Sequence, residues 1–412
     1  MKKYNAYKPS GIEWVGDIPE KWSIKKLKYI FRIYAGATPK TENVCFWDGN
    51  VVWVTPADYK TDDKIIMNGS RNITEDGLNS CNTRIVPKGS LIFSKRAPIG
   101  TVAISGVDLC TNQGCLSCVP QNVNSTFFYY LISVFTEVFD MLGSGATFRE
   151  ISADAFANVK VPVPPLSEQI AIAAYLDAKC AKVDNVISVQ QKRIEFLKEL
   201  KQSVITHAVT KGLDKNVELK PSGIDWIGDI PKSWNVKRMR FLCKMNTGDK
   251  DTVDRVDDGL YPFYVRSPKI EKINSYTFDG EAVLMAGDGV GAGKVIHYAN
   301  GKFDYHQRVY NFHEYREVLT KYAYYYLVSN FRYKIEEGGA KNTVDSVRLP
   351  WLKDFPICIP TILEQEKILS YIERKSETID NQISKIERQI ELLKEYKQSI
   401  ITECVTGKRK VC

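Results

Sequence analysis

The sequence predicts an α/β (α+β) architecture: two mixed domains in tandem, separated by two long antiparallel coiled-coil helices and related by a pseudo-two-fold internal repeat. Three observations predict it. Residues 8–19, KPSGIEWVGDIP, return at 220–231 as KPSGIDWIGDIP, ten of twelve positions being identical. Residues 197–206, LKELKQSVIT, return at 393–402 as LKEYKQSIIT, with eight of ten identical. Between the repeated blocks lie two stretches that have diverged strongly, the first 16 residues longer because the offsets are 212 and 196. Such self-similarity marks a duplicated module, with a fixed start, a variable middle and a fixed end.

The fixed ends read as helices. From Leu176 a 4-3 alternation selects Cys180, Val183, Ile187, Gln190, Ile194, Leu197, Lys201, Val204 and Ala208. Its counterpart runs through Ile372, Ser376, Ile379, Ile383, Ile386, Ile390, Leu393, Lys397, Ile400 and Cys404. An a/d seam sustained over more than four heptads signals coiled-coil packing. Val183, Ile187, Ile194, Leu197, Ile379, Ile383, Ile390 and Leu393 are the expected seam. Pro164, Pro165 and Pro360 precede the helices, where proline is tolerated, and Gly212 and Gly407 follow the two seams. Some 36 residues at about 1.5 Å each give ~54 Å, long for one face of a small domain. The first helix leaves one middle and enters the next, so pairing along their length requires antiparallel helices with a middle at either end.

The middles read as α/β. VVWVT (51–55), SLIFS (90–94), TVAIS (101–105), AVLMA (282–286) and KVIHY (294–298) resemble short strands bounded by turn residues. Residues 126–141 and 315–335 read as buried helices.

Composition bounds the rest. With 412 residues, 44% hydrophobic and 26% charged, the chain fits two or three globular domains. It holds no apolar run of membrane-spanning length and no apolar stretch behind the first lysines, so a cytoplasmic protein without a membrane partner is expected. A net charge of +8 permits nucleic-acid binding without requiring it. Cys110, Cys115 and Cys118 match an iron–sulfur spacing. They lack a fourth ligand and a counterpart in the second half, and read instead as small apolar strand residues; no metal site is expected.

The usual marks of catalysis are absent. The Gly-rich stretch AGDGVGAGKV (286–295) has Asp288 and Val295 where a phosphate loop needs Gly and Ser/Thr. Ala292 breaks the dinucleotide pattern. His207, His297, His306 and His313 form no metal or nucleophile motif, and no aminomethyltransferase motif occurs.

At KPSGI-E/D-W-V/I-GDIP, followed by Trp22 or Trp234, and at Pro164/Pro360 followed by Glu168-Gln169/Glu364-Gln365, the chain closely resembles specificity subunits of type I restriction–modification systems. The resemblance covers essentially the whole chain. It implies target-recognition domains at about 1–165 and 213–360, and spacer helices at 166–212 and 361–412, the last with a basic tail. It implies a non-catalytic subunit that reads a bipartite, asymmetric double-stranded DNA site. Two copies of a modification (methyltransferase) subunit would dock on it, with restriction subunits as further partners. S-adenosylmethionine, ATP and Mg2+ would be held by those partners, and this chain would carry no cofactor. The resemblance places DNA-contacting loops at 143–152 and 338–348, which selects Ser144, Thr147, Arg149, Lys341, Asn342 and Arg348. Lys95, Arg96, Lys294 and Arg308 are secondary candidates. Asn112-Gln113 and His306-Gln307 are either readers or turn-stabilising groups. A stand-alone two-headed DNA-binding regulator and a coiled-coil protein-interaction adaptor stay open as alternatives.

The purified chain alone is expected to methylate and cleave nothing, and to confer adenine methylation at one split, non-palindromic site once the cognate modification subunit is added. Methyl-transfer assays with and without that subunit check this. Transfer by the chain alone would count against it.

Overall fold

The computed structural model describes residues 3–59, 64–143, 149–214, 216–337 and 346–411. The chain divides into two compact units, Met1–Val189 with Arg388–Cys412, and Gln190–Glu387. Each unit thus contains one variable middle and a segment of both long helices.

In the first unit the repeated block forms a small hairpin, Tyr7–Pro9 against Asp17–Pro19. Strand Ser23–Lys26 then pairs antiparallel with Lys160–Val163, placing Ser23 opposite Val163. This closes the domain just before the first long helix. The middle builds a five-stranded sheet in the order Phe31–Ala35, Cys115–Pro120, Leu91–Ser94, Val102–Ser105, Ile65–Ile66, and a three-stranded sheet around Trp47–Val54. Helix Ser125–Val134 starts where Asn124 Oδ1 accepts the Phe127 N–H (2.9 Å). It buries Phe127, Phe128 and Leu131 in one cluster with Phe31, Phe93 and Phe156, each such side chain contributing about 1.5–3 kcal/mol. The single helix expected over 126–141 is two, Ser125–Val134 and Thr136–Met141. Phe135 leaves helical geometry and packs its ring on Trp14, centroids 4.3 Å apart.

The three spaced cysteines do not converge. Cys110, Cys115 and Cys118 are buried in three separate hydrophobic clusters. Burial pushes the thiols of Cys110 and Cys115 up to about 12, as expected for inert packing groups.

The second unit repeats the plan with a six-stranded sheet: Lys244–Thr247, Val309–His313, Phe278–Ala286, Ile296–Tyr305, Tyr261–Tyr264, Glu271–Ile273. The expected strands 282–286 and 294–298 belong to its long hairpin, Phe278–Ala286 against Ile296–Tyr305. Strand Asn235–Arg238 pairs with Pro356–Ile359, as its counterpart does in the first unit. The helix expected over 315–335 spans Thr320–Glu337, because Glu314 and Glu317 take φ of 51° and 63° and hold the chain out of helix.

The long helices run Leu166–Lys211 and Ile362–Val405, 46 and 44 residues. They extend beyond the seam of some 36 residues because their first turns pack into the domain cores, burying Ile172 and Leu176 in one unit and Ile368 and Ile372 in the other. Within the first unit, Tyr175 meets Arg409 (Oη–Nη1 3.5 Å) and Asp184 meets Lys397 (2.6 Å). That order makes the two helix segments antiparallel there. The second unit does the same, with Lys201 Nζ 2.7 Å from Asp380 and Val209 clustered with Ile368 and Ile372. Val183, Ile187, Ile194, Leu197, Ile379 and Ile390 are buried, and Ile383 and Leu393 half-buried. Val204 is only half-buried; Ile205 takes the inward place, where the helix turns its face to the second core. Among the described residues no helix is long and apolar enough to cross a membrane.

The repeated residues meet at a junction in each unit. Buried Trp22 donates its Nε1–H to Glu168 (3.1 Å), and buried Trp234 donates to Glu364 (2.9 Å). Gln169 accepts the Asn124 N–H (2.9 Å) and donates to Pro164 C=O (2.8 Å). Gln365 accepts from Leu319 (2.8 Å) and donates to Pro360 C=O (3.1 Å). Gly407 has φ +74°, and a Cβ there would lie 2.2 Å from Pro19 Cδ, so the helix end can close on the repeated block only with glycine.

Ile372→Ala is expected to cost about 2–5 kcal/mol, since its packed site cannot collapse. Lys201→Ala, which removes a solvent-exposed ion pair, is expected to cost about 0.2–1 kcal/mol. Urea unfolding of the full chain measures both, and equal losses would contradict the packing described.

Candidate nucleic-acid interface

Both middles end in the same backbone junction, although their sequences have diverged. In the first unit the Lys95 N–H donates to Gly114 C=O (2.9 Å), and Lys95 C=O accepts the Ile151 N–H (3.0 Å). In the second, Gly287 N–H donates to Arg308 C=O (2.8 Å), and Gly287 C=O accepts the Val347 N–H (2.7 Å). Arg96 bridges Glu150 in the first, and Asp288 bridges Ser346 in the second. A glycine lets the neighbouring strand approach: a Cβ on Gly36 would lie 2.2 Å from Thr111 O, and one on Gly248 1.9 Å from Tyr305 O.

These hydrogen bonds align Asn112-Gln113-Gly114 with His306-Gln307-Arg308. Asn112 Oδ1 accepts the Gly114 N–H (2.9 Å), and His306 Nδ1 accepts the Arg308 N–H (2.9 Å). Asn112 and His306 therefore stabilise turns, while Gln113 and Gln307 are exposed. Gln113 bonds Thr38, and Gln307 Nε2–H donates to Asp251 (2.8 Å). With Nδ1 accepting, the His306 proton sits on Nε2, which is buried without a hydrogen-bond partner and lies 3.8 Å from Asp251. Burial, then the positive charge of Arg266, lowers the His306 pKa against the opposing pull of Asp251.

The basic candidates divide by environment. Lys95 Nζ and Arg96 Nε both bind Glu150, at 2.6 and 2.8 Å. Burial raises the Glu150 pKa, but hydrogen bonds from Lys95 and Arg96 outweigh it and leave the carboxyl below its usual range. Arg308 Nη1 and Arg266 Nη1 bind the two oxygens of Asp288 at 2.8 and 3.1 Å. Arg149 is exposed and pairs with Asp140 (3.0 Å). Lys294 and Arg348 are exposed and without an ion pair among the described residues, Arg348 at the start of helix Leu349–Lys353. Lys294, Arg266 and Asp288 line a cleft of about 600 Å3 beside the Gly-rich turn. Ser144, Thr147, Lys341 and Asn342 lie outside the described residues. Among the described residues no cluster of His, Cys, Asp and Glu could hold a metal.

The sequence reading missed the carboxylates Glu150 and Asp288 as partners of the basic side chains, and Arg266 as a second cation on Asp288. Their ion pairs join loop residues 20–55 apart in the chain, and no local spacing marks them. The only signal for Glu150 was its place within the 143–152 loop.

Residues 19–201 and 231–392 match the family described as "Type I restriction modification DNA specificity domain". The chain belongs to this family. It is similar to the type I restriction enzyme MjaIX specificity subunit of Methanocaldococcus jannaschii, 34% identical over 239 residues, 57% of this chain and 54% of that protein. It is also similar to the EcoDI specificity subunit of Escherichia coli, 29% identical over 180 residues, 44% of this chain and 39% of that one. The match thus spans about half or less of these relatives' length. In fold it resembles a solved chain from a study of complex assembly and conformational transition of the type I restriction–modification system, with TM-score 0.72, 15% identity and coverage of 94% of this chain and 98% of that one.

His306 is held neutral with its folded pKa below the ordinary 6.5. Its contribution to stability is therefore present above about pH 6.5 and lost as pH falls through the lower folded value. His306→Asn, which copies the Asn112 turn, is expected to flatten the fall in Tm between pH 7 and pH 5. His297 and His313, also lowered by burial, act in the same direction. An unchanged Tm–pH slope in the variant would contradict this.

Proposed function

We propose that this chain is the DNA-reading, non-catalytic specificity subunit of a type I restriction–modification complex. The observation that carries this reading is the doubled family match, at 19–201 and 231–392. Each match encloses a diverged middle that ends in the same loop junction. In this reading the middles, within about 1–165 and 213–360, are target-recognition domains that read the two halves of a bipartite, asymmetric site. The helices, about 166–212 and 361–412, act as an antiparallel coiled-coil spacer and as the docking surface for two modification subunits, with restriction subunits as further partners. Those partners hold S-adenosylmethionine, ATP and Mg2+, and the complex acts in the cytoplasm. Exposed Lys294 and Arg348 are suited to neutralise phosphate, while cations fixed by hydrogen bonds suit base edges. Ser144, Thr147, Lys341, Asn342 and Arg149 are proposed contacts from the loops that the family resemblance selects.

Replacing residues 23–160 with the matching region of another family member is expected to change one half of the methylated site and leave the other intact. Lengthening the helical spacer is expected to change only the unread gap. Mapping adenine methylation in cells that express each hybrid with the modification subunit checks both. A single-domain replacement that rewrote both halves would overturn the reading.

A further inference from the structure

Each middle centres a carboxylate on the loop junction, and the two carboxylates come from opposite sides of it. In the first unit the acid is Glu150, on the returning chain, and it binds Lys95 and Arg96 from the facing loop. In the second the acid is Asp288, at the position that Arg96 occupies in the first, and it binds Arg266 and Arg308. The polarity has reversed, yet a carboxylate holding two cations is present in both.

Stability is a poor explanation for this recurrence. Lys95 and Asp288 are only 14% exposed, but Arg96, Arg266 and Arg308 remain 46%, 43% and 62% exposed, and ion pairs to such exposed guanidinium groups contribute little. At a surface that meets polyanionic DNA, a carboxylate also repels phosphate. Two physical effects remain. The carboxylate cancels charge, which weakens sequence-independent attraction, and it fixes the direction of a flexible side chain. Arg96 is held through Nε, so its Nη1/Nη2 edge is left open among the described residues. That edge is the fork that matches O6 and N7 of guanine. Arg308 and Arg266 are each held through Nη1 alone, which leaves Nε and Nη2 open.

We propose that Glu150 and Asp288 are positioning residues for sequence readout: each holds its arginine partners toward base edges and keeps them from acting as general phosphate contacts. Exposed Lys294 and Arg348, without such a partner among the described residues, take the phosphate role. The inference rests on the proposed DNA-reading function and adds a division of labour among the basic groups.

The test uses the full chain with its modification subunit. The site is first mapped by adenine methylation with the wild-type chain. Binding is then measured to a 30-bp duplex carrying that site and to a random-sequence duplex, over a range of salt. Glu150→Gln and Asp288→Asn are each expected to bind the random duplex at least threefold more tightly, with a steeper dependence on salt as freed cations reach phosphates. Each is also expected to lower the preference for the mapped site at least tenfold and to relax base choice in one half only, a different half for each. Arg96→Gln and Arg308→Gln should relax the same halves without steepening the salt dependence. A site preference within twofold of wild type in both carboxylate variants overturns the proposal. So does an equal loss of affinity for both duplexes accompanied by a lower Tm, which marks a purely structural role. Should a carboxylate variant fail to fold, the arginine variants decide, and unchanged base choice in them is the overturning result. If the wild-type complex methylates no defined sequence, the function proposed for the chain fails, which is distinct from failure of the carboxylates' role.

Discussion

A buried indole N–H organises each unit. Trp22 and Trp234 are enclosed by the repeated block, the first turn of one long helix and the last turn of the other. Burying so large a side chain is favourable only if its donor finds a partner, since an unsatisfied buried group costs about 1–3 kcal/mol. Glu168 and Glu364 supply the partner, and the following glutamine ties the helix start to the domain. The helix that ends at the same place is followed by glycine in both units, because the chain takes a positive φ there, +77° at Gly212 and +74° at Gly407. Gly407 in addition approaches Pro19 too closely for any side chain. This is why the tryptophan, the Glu-Gln pair and the glycine recur together while the residues between them do not.

The junction separates what must stay constant from what is free to vary. Tryptophan, helix start and helix end fix where each middle begins and finishes. Within the middle, the backbone contacts of Lys95 and Gly287 repeat hydrogen bond for hydrogen bond. Side chains at that edge change identity and even charge sign, as Arg96 and Asp288 do. A backbone platform that tolerates such exchange can present different polar groups without being rebuilt, because its own hydrogen bonds are satisfied from the main chain.

Electrostatics at this edge is local. Net charge says little, since these basic side chains are tied to particular carboxylates: Lys95 and Arg96 to Glu150, Arg149 to Asp140, Arg266 and Arg308 to Asp288. His306 illustrates the same point for titration. Its neutral state follows from the Arg308 N–H that its ring must accept and from enclosure beside Arg266.

The sequence alone determined the duplication, the two long helices and the α/β character of the middles. Those features are written in repeats and in periodicities of 3.5 and 2, which depend only on neighbours along the chain. It also paired Asn112-Gln113 with His306-Gln307, which the backbone hydrogen bonds align. The break at Phe135, the late start of the helix at Thr320 and the inward turn of Ile205 needed the folded protein, because each answers to a distant partner or to backbone geometry that leaves no pattern. The same holds for Glu150 and Asp288. Which cation a carboxylate holds is decided by loops that meet only in three dimensions, and a charge in a linear sequence carries no record of the charge it will face.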